Sequence, residues 1–262
     1  MINNKGTALI TGASTGIGAT YADRLASRGY GLILVARDEG RLNALAAKLR
    51  QAAGVTVDVI KADLTSREGR AVVEQRLAED ATITMLVNNA GMAATGTLTG
   101  IEPDRLETMV ELNVIAVMRL AAAAARAFAA RNRGTIINIA SVLALAPELF
   151  NGVYSGTKAF VLNLSLSMQQ ELAASGVQVQ AVLPGATRTE IWERAGTDVN
   201  RLPAERVMEL DALVDAALKG LDLGERITIP SLPDIRDLEN AESARLKLSP
   251  NLSRNQPAAR YL

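Results

Sequence analysis

Thr11-Gly12-Ala13-Ser14-Thr15-Gly16-Ile17-Gly18 joins the first predicted strand of this chain to its first predicted helix. In such a turn Gly12 permits a tight bend, Gly16 lets the backbone approach a bound pyrophosphate, and Gly18 allows close helix–strand packing. The helix N-terminus adds unpaired N–H donors and a positive dipole end. The spacing is G-x-x-x-G-x-G, and the motif alone is weak, because glycines in such turns often serve only the turn. The stretch nevertheless favours a phosphate-binding loop at the start of an α/β domain.

Short apolar runs alternate with longer helical patterns along the rest of the chain. The runs are almost continuously apolar, which is typical of strands that are covered on both faces in a parallel sheet. The predicted strands are Thr7–Thr11, Gly31–Ala36, Val55–Ile60, Ile83–Asn88, Thr135–Ala140, Val177–Leu183 and Arg226–Ile229. The predicted helices are Gly16–Ser27, Glu39–Ala53, Arg67–Glu79, Pro103–Leu112 continuing into Val114–Arg131, Gly152–Ala174 and Leu210–Leu221. This alternation predicts a doubly wound α/β sheet flanked by helices.

Two regions interrupt the alternation. Residues 186–207 follow the sixth predicted strand with weak periodicity, and we predict a substrate lid there, because ligands bind beyond the carboxyl ends of such strands. Residues 231–262 contain three prolines among many charges, which predicts loops and a tail. No repeat or linker divides the chain, so residues 1–262 are predicted to form one domain.

The composition excludes several kinds of chemistry. The 262 residues include no Cys and no His, which excludes disulfides, thiol nucleophiles, Cys-ligated zinc and a Ser-His-Asp triad, and no metal site is predicted. Lys+Arg and Asp+Glu are both 28, so no net charge favours nucleic acid or an anionic membrane as a partner. No signal peptide is recognised, and Arg119 and Arg126 interrupt the longest apolar stretch, so we expect a cytoplasmic protein.

The end of the second predicted strand bears on the choice of nucleotide. An NAD-selective site places an acidic residue near this point, whereas this chain has Ala36 followed by Arg37. A guanidinium pairs with a 2′-phosphate, and the Ser14 hydroxyl could add a further bond. We therefore predict NADP(H) as the preferred cofactor, with NAD(H) possible. The alternative is that Arg37 simply ends a strand in solvent.

Two other strand ends carry polar or small residues at the same predicted edge. Asp63-Leu64 follows the third strand, where the carboxylate could accept a bond from an adenine amino group. Asn88-Asn89-Ala90-Gly91 ends the fourth strand, where Asn89 and Gly91 could let the chain pass close to the cofactor ribose. Each of these residues alone is more often an ordinary turn residue.

Tyr154 and Lys158 are the best acid–base pair that a chain without His offers. Residues four apart share one face of a helix, so the phenol and the ammonium point the same way. A neighbouring cation favours phenolate and lowers a Tyr pKa. Ser141 follows the fifth predicted strand and could polarise a carbonyl, and Asn113 lies in an apolar helical stretch where it could kink the helix and hold a water. The alternatives are a surface Tyr–Lys pair and a helix break at Asn113.

Over roughly residues 5–230 the sequence closely resembles the short-chain dehydrogenase/reductase family. The motifs are TGASTGIG at 11–18, Asp63-Leu64, NNAG at 88–91, Asn113, Ser141, YSGTK at 154–158, and Pro184-Gly185 before Thr187 and Thr189. The resemblance implies a Rossmann-type fold with a seven-stranded parallel sheet and an active oxidoreductase with the tetrad Asn113, Ser141, Tyr154 and Lys158.

The resemblance also implies a role for each of these residues. Tyr154 would exchange a proton with the carbonyl or alcohol oxygen, and Ser141 would bond the same oxygen. Lys158 would bind the nicotinamide ribose and lower the Tyr154 pKa, and Asn113 would order a water. Thr187 and Thr189 would contact the nicotinamide carboxamide. A homodimer or homotetramer is implied in the same way, although the helices concerned could instead be covered by their own sheet.

Apolar residues around these positions predict the substrate class. Leu143 follows Ser141, and Trp192 lies in the predicted lid, so we expect a hydrophobic ketone, aldehyde or secondary alcohol as substrate. Ordinary core and lid packing would explain the same residues. The main alternative function is a non-catalytic NADP(H)-sensing module on the same fold, against which the complete tetrad argues. An extended-type epimerase and an enoyl reductase are disfavoured by glycine spacing, chain length and Tyr–Lys spacing.

Overall fold

A computed structural model describes residues 5–262, and within them seven parallel strands form one sheet in the order β3-β2-β1-β4-β5-β6-β7. The strands are β1 Thr7–Thr11, β2 Gly31–Ala36, β3 Val57–Lys61, β4 Ile83–Asn88, β5 Gly134–Ile139, β6 Val177–Val182 and β7 Ile227–Thr228. The helices are α1 Gly16–Ser27, α2 Glu39–Ala53, α3 Arg67–Glu79, α4 Pro103–Val110, α5 Val117–Ala130, α6 Gly152–Glu171, α7 Ile191–Ala195, α8 Leu210–Asp222 and α9 Ile235–Leu246. The predicted doubly wound fold is confirmed, with strand ends shifted by one or two residues.

The strand order reverses between β1 and β4. The chain winds from β1 to β2 and β3 on one side, and from β4 to β7 on the other. In an open α/β sheet the crevice at this reversal, outside the carboxyl ends of the strands, is where ligands bind. The glycine turn after β1 and the Asn88–Gly91 segment after β4 therefore meet at the expected position of a binding site.

Both faces of the sheet are covered by helices. Alternate residues of β1 enter different clusters: Ile10 packs with residues of α1, α2 and α8, and Leu9 packs with residues of α3, α5 and α6. Both side chains are fully buried, and each such burial stabilises the fold by about 1.5–3 kcal/mol. The continuous apolar runs in the sequence are explained by this coverage of both faces.

The helical run Pro103–Ala130 contains a π-helical turn, Glu111–Ala116, between α4 and α5. Asn113 lies in the middle of that turn. The run is long and apolar enough by composition to span a membrane, with mean hydropathy 1.5. It contacts α3, β4 and β5, and Phe128 within it is fully buried, so it forms part of the packed core.

Residue contacts divide the described chain into two units, and the boundary in the sequence falls between Pro230 and Ser231. The second unit contains α9, which begins after Asp234, whose side chain accepts a bond from Arg236 N at 2.9 Å. The prediction of loops was therefore wrong for residues 235–246. The prolines flank this helix rather than interrupt it, and its few apolar residues, such as Ile235 and Leu238, stand among many charged residues, so the segment was read as loops. The assignment of residues 1–262 to one domain stays a prediction.

Candidate active site

The glycine turn is held at its conformation by close approach of the β4 end. Gly12 has φ +65°, and a Cβ there would lie 2.8 Å from Asn89 Nδ2 and 2.9 Å from Ala90 Cα. A Cβ on Gly18 would collide with the carbonyl oxygen of Gly12. Gly16, with φ +57°, is less crowded, because the nearest atom to a Cβ there would be Thr189 Cγ2 at 3.6 Å, an ordinary contact distance. The two packed glycines fix the turn, and Gly16 leaves room along it.

Thr11 and Asn89 join the ends of β1 and β4. The Thr11 hydroxyl accepts bonds from Asn89 N and Ala90 N, both at 3.0 Å, and donates to Val87 O at 3.3 Å. Asn89 Nδ2 donates to Thr11 O at 2.9 Å. The side chain of Asn89 therefore holds the glycine turn, and Thr11 is a positioning residue that the sequence analysis did not single out.

The N-terminus of α1 fits an anion. Thr15 is its N-cap residue, yet the Thr15 side chain makes no capping hydrogen bond, and the first turn contains no acidic residue. Ile17 turns inward and packs against the core. The first N–H groups of α1 and the hydroxyls of Ser14 and Thr15 are thus suited to a phosphate.

Charged residues gather at the ends of β2 and β3. Arg37 is exposed, and Asp38 is used as the N-cap of α2, accepting from Arg41 N at 2.9 Å. Asp63 Oδ1 accepts from Thr65 N at 3.0 Å and from its hydroxyl at 2.7 Å. Burial raises the pKa of Asp63, but these bonds and the charge of Arg37 outweigh it and leave that pKa lowered. Asp63 is therefore an anion beside a cation.

Leu64, the residue after Asp63, is buried in the cluster beneath α3 and α5. Its side chain packs the core, so any contact that it makes with a nucleotide is through the backbone.

Tyr154 and Lys158 lie together on the buried face of α6. Lys158 Nζ is 5.8 Å from the centroid of the Tyr154 ring and donates to Ile139 O at 2.9 Å. Phe150 meets the same ring edge-on, at 5.6 Å between centroids. The start of α6 is fixed by Asn151, whose Oδ1 accepts from Val153 N at 2.9 Å and from Tyr154 N at 3.0 Å.

Burial dominates the ionisation of this pair. It raises the pKa of Tyr154 to about 12, and a hydrogen bond with the Ser141 side chain opposes that rise only in part. Burial lowers the pKa of Lys158 to about 8. We expected the ammonium to lower the phenol pKa, but in this structure desolvation outweighs any such effect. At neutral pH Tyr154 is a neutral donor and Lys158 is mainly protonated.

Ser141 lies where β5 ends, beside the loop that follows β6. Its hydroxyl accepts from Leu143 N at 3.2 Å and lies 3.5 Å from Pro184 O. Val142 N donates to the same carbonyl at 3.0 Å. Pro184 thus fixes the loop on which Ser141 stands.

Asn113 has no free side-chain group. Its Oδ1 accepts from Met92 N and its Nδ2 donates to Met92 O, both at 2.9 Å, and Nδ2 also donates to Thr157 Oγ1 at 3.1 Å. A Cβ on Gly91 would lie 3.3 Å from Asn113 Oδ1 and 3.5 Å from Lys158 Nζ. The amide therefore ties the β4 loop to α6, and Gly91 keeps that corner open.

The lid region begins with a short hydrogen-bonded segment. Thr187 is buried, its hydroxyl donates to Gly185 O at 3.1 Å, and its carbonyl accepts from Trp192 Nε1 at 2.8 Å. A cavity of about 380 Å³ is lined by Gly16, Trp192 and Thr189, among other lid residues. The structure therefore places Trp192 beside the glycine turn.

Two positioning residues around Tyr154 were missed from the sequence. Asn151 also donates from Nδ2 to Gly96 O at 3.1 Å, and Thr157 Oγ1 donates to Tyr154 O at 2.7 Å. An Asn directly before a helical pattern is a preferred N-cap, so the sequence did carry a signal for Asn151.

The glycine turn lies where the strand order reverses, and the buried Tyr–Lys pair lies on α6, which follows β5. These two features define a nucleotide-dependent oxidoreductase of the doubly wound class. A family model described as short chain dehydrogenase matches residues 6–200. The chain belongs to this short-chain dehydrogenase family.

Solved structures and a curated relative agree with this assignment. A short-chain dehydrogenase from Sphingobium yanoikuyae in complex with NADPH is 52% identical, with a TM-score of 0.95 over 98% of this chain and 100% of that one. The bulky-bulky ketone specific alcohol dehydrogenase from Comamonas testosteroni is 47% identical, with a TM-score of 0.92 over 99% and 100%. An uncharacterized oxidoreductase of Staphylococcus epidermidis is 30% identical over 85% of this chain and 93% of its own.

Proposed function

We propose that the chain interconverts an apolar ketone or aldehyde and the matching alcohol with NADP(H), and that Tyr154 is the acid/base. The observation that carries this proposal is the buried corner in which Ser141, Tyr154 and Lys158 lie together next to Gly91. A buried phenol and hydroxyl at one point can share the oxygen of a single substrate group. Bound NADPH supplies the hydride.

The glycine turn and the uncapped N-terminus of α1 fit a dinucleotide pyrophosphate. The residues that we propose to hold the cofactor are Gly12, Ser14, Thr15, Gly16, Ile17, Gly18, Arg37, Asp63, Leu64, Asn89, Ala90, Gly91, Tyr154, Lys158, Pro184, Gly185, Thr187 and Thr189. Asn89 and Leu64 would act through the backbone, because their side chains are engaged in the fold.

The chain's own residues move the proton. With a pKa near 12 the Tyr154 phenol keeps its proton at neutral pH and is able to donate it to a carbonyl oxygen during reduction. The Ser141 hydroxyl bonds the same oxygen. Lys158 would bind the ribose hydroxyls of the cofactor through its charge and would return a proton toward Tyr154. Asn113 would hold a relay water through the backbone of its π-helical turn, since its side chain is fully bonded.

A carbonyl library tests the activity. NADPH oxidation is expected with several apolar ketones, and Tyr154→Phe is expected to abolish it while leaving NADPH binding within about threefold, because only the transferable proton is removed. If the wild type turns over no carbonyl across a broad library but binds NADPH, the chain is a sensing module rather than an enzyme.

The preference for NADP(H) rests on Arg37. It is exposed at the end of β2, and the nearby acid Asp38 is occupied as the cap of α2. The Sphingobium relative is solved in complex with NADPH, which supports the same choice. Arg37→Asp is expected to weaken NADPH and not NADH in a fluorescence titration. An unchanged ratio of the two dissociation constants would reject the assignment.

The substrate class rests on the apolar loop after Ser141. Leu145 and Leu149 are 53% and 71% exposed, and Leu143 and Phe150 lie in the same loop. Exposed apolar side chains beside a catalytic corner favour an apolar substrate, as does the ketone specificity of the Comamonas relative. We therefore propose Leu143 and Trp192 as substrate contacts. A higher kcat/KM for polyols than for aryl ketones would contradict this class.

We further propose a cytoplasmic homodimer or homotetramer. Met118 on α5 is 37% exposed, so part of the apolar helical run lies outside the core of one chain. Light scattering on the purified protein is expected to give two or four chain masses, and a single chain mass would contradict the proposal. Fractionation of cells tests the location.

A further inference from the structure

We propose that Arg41 and Glu190 form a latch that holds the lid over the glycine turn and limits how fast the cofactor enters and leaves. Both are positioning residues outside the tetrad. The inference rests on the proposed function in one respect, namely that the nucleotide binds along the glycine turn.

The latch joins two elements that are distant in sequence. Arg41 lies in the first turn of α2, and its Nη1 donates to both carboxylate oxygens of Glu190, at 3.1 and 3.0 Å. Asp38 helps to orient the Arg41 side chain, because its carboxylate lies 3.4 Å from Arg41 Nε. Glu190 directly precedes α7 in the lid, and its Oε2 also accepts from Arg194 Nη2 of that helix at 2.6 Å. The pair therefore ties the region at the end of β2 to the lid.

The latch lies next to the glycine turn, where we expect the nucleotide to bind. Thr189, next to Glu190, has its Cγ2 3.6 Å from the Cβ position of Gly16, so the lid lies directly over the glycine turn. The cavity of about 380 Å³ between Gly16 and the lid includes Glu190 in its wall. With the latch closed, the turn is covered from above, and a dinucleotide reaches or leaves it only when this segment moves.

The latch is a weak link in an otherwise anchored lid. The far end of α7 is bonded to the body, with Ala195 O accepting from Thr95 N at 3.3 Å and from its hydroxyl at 2.5 Å. The Arg41 and Glu190 side chains, in contrast, are 50% and 43% exposed, which is typical of ion pairs that break and re-form readily. Arg41 lowers the pKa of Glu190, so the pair stays charged at neutral pH.

Stopped-flow release of NADPH tests the latch. Glu190→Gln is expected to speed release about two- to fivefold, the range set by an exposed ion pair, because the lid opens more often. Glu193→Gln is the matched control: it removes a carboxylate from the same short helix, and among residues 5–262 no ion pair of Glu193 is found. Release from Glu190→Gln no faster than from Glu193→Gln would overturn the proposal.

A double-mutant cycle assigns the effect to the pair. In the Glu190→Gln background, Arg41→Gln is expected to add no further increase in the release rate, because the Arg41–Glu190 pair is already broken. Glu190→Gln also weakens the bond from Arg194 Nη2, so Arg194→Gln alone measures that separate contribution. Multiplicative effects would mean that the residues act separately and would also overturn the latch. High salt should shrink the difference between wild type and Glu190→Gln, since it screens the pair.

NADH separates this inference from the proposed cofactor preference. The latch covers the pyrophosphate site, so Glu190→Gln is expected to speed NADH release by the same factor. If Arg37→Asp leaves the ratio of the NADPH and NADH dissociation constants unchanged while Glu190→Gln still speeds release of both cofactors, the preference fails and the latch stands. If release is unchanged while Arg37→Asp discriminates, the latch alone fails.

Discussion

Replacing Asn151 with Ala removes three hydrogen bonds that place Tyr154. Oδ1 accepts from Val153 N and Tyr154 N, Nδ2 donates to Gly96 O, and the residue is 6% exposed. Loss of an N-cap costs about 1 kcal/mol of stability. Loss of the buried bond leaves the Gly96 carbonyl unsatisfied, which costs about 1 kcal/mol more. The expected sum of about 2 kcal/mol corresponds to a melting temperature lower by about 4–8 °C for a chain of this size.

The catalytic effect is expected to exceed the effect on stability. Without the cap, the first turn of α6 moves, and a displacement of the phenol by a fraction of an ångström is expected to lower kcat at least tenfold. The assay is thermal unfolding together with kcat at saturating NADPH, measured well below the melting temperature.

Two variants serve as controls for Asn151→Ala. Asn151→Ser keeps a capping oxygen without adding charge and loses the donor to Gly96 O, so kcat should stay closer to wild type than in Asn151→Ala. Ser66→Ala removes the cap of α3, where Gly69 N donates to Ser66 Oγ at 3.0 Å, and should cost stability without a comparable loss of kcat. If Asn151→Ala lowers kcat no more than Ser66→Ala, the cap does not position Tyr154 and the reasoning is refuted.

Two further predictions concern ionisation and the glycines. Lys158 has a pKa of about 8, so its charge is lost as the pH rises through that value, and NADPH affinity measured by fluorescence titration should fall above it; an identical fall in Lys158→Gln would assign the effect elsewhere. Gly18→Ala should weaken NADPH binding at least tenfold, because its Cβ collides with the Gly12 carbonyl. Gly156→Ala, with nothing within 4 Å of the new Cβ, should instead stabilise α6 by about 0.8–1 kcal/mol in urea unfolding. If Gly156→Ala destabilises the protein while Gly18→Ala leaves NADPH binding unchanged, the packing described here is contradicted.

Lys158 also affects stability, in the opposite sense to its effect on binding. An unfolded Lys titrates near 10.4, whereas burial lowers the pKa of this group to about 8 when folded. Between those values the unfolded state binds more protons. The contribution of this group therefore makes the fold more stable as the pH rises through that window, and less stable below it.

The sheet could be predicted from the sequence because its strands are covered on both faces. Nearly every residue of a run such as Gly31–Ala36 is apolar. Such a run is recognised as a strand even when the face to which each side chain points is not known. Helix α9 lacks such a run, because only a few apolar residues, such as Ile235 and Leu238, stand among its charged residues and none of them is buried. Asn113 was expected to kink its helix, and the structure has a π-helical turn there; the bonds of its side chain to Met92 join distant segments that no local pattern reveals.

In the candidate site, too, the features set by local sequence could be predicted, and those set by contacts between distant segments could not. The motifs identified Ser141, Tyr154 and Lys158, and the fold brings their backbone segments to one corner. The role of Thr11 depends on the β4 end, and the bond of Asn151 to Gly96 O joins distant segments, so of these contacts only the N-cap role of Asn151 had a local signal. The direction of the Tyr154 pKa shift also depends on burial, which a spacing of four residues does not reveal.

The raised pKa of Tyr154 affects the two directions of the proposed reaction differently. Reduction needs a proton donor, and a phenol with a pKa of about 12 is protonated at neutral pH. Oxidation needs the phenolate, and bringing that pKa down to 7 requires about 7 kcal/mol of stabilisation. The ammonium of Lys158 lies 5.8 Å from the ring centroid and donates to a backbone carbonyl. The corner as it stands is therefore prepared for carbonyl reduction, and alcohol oxidation depends on added positive charge or on high pH.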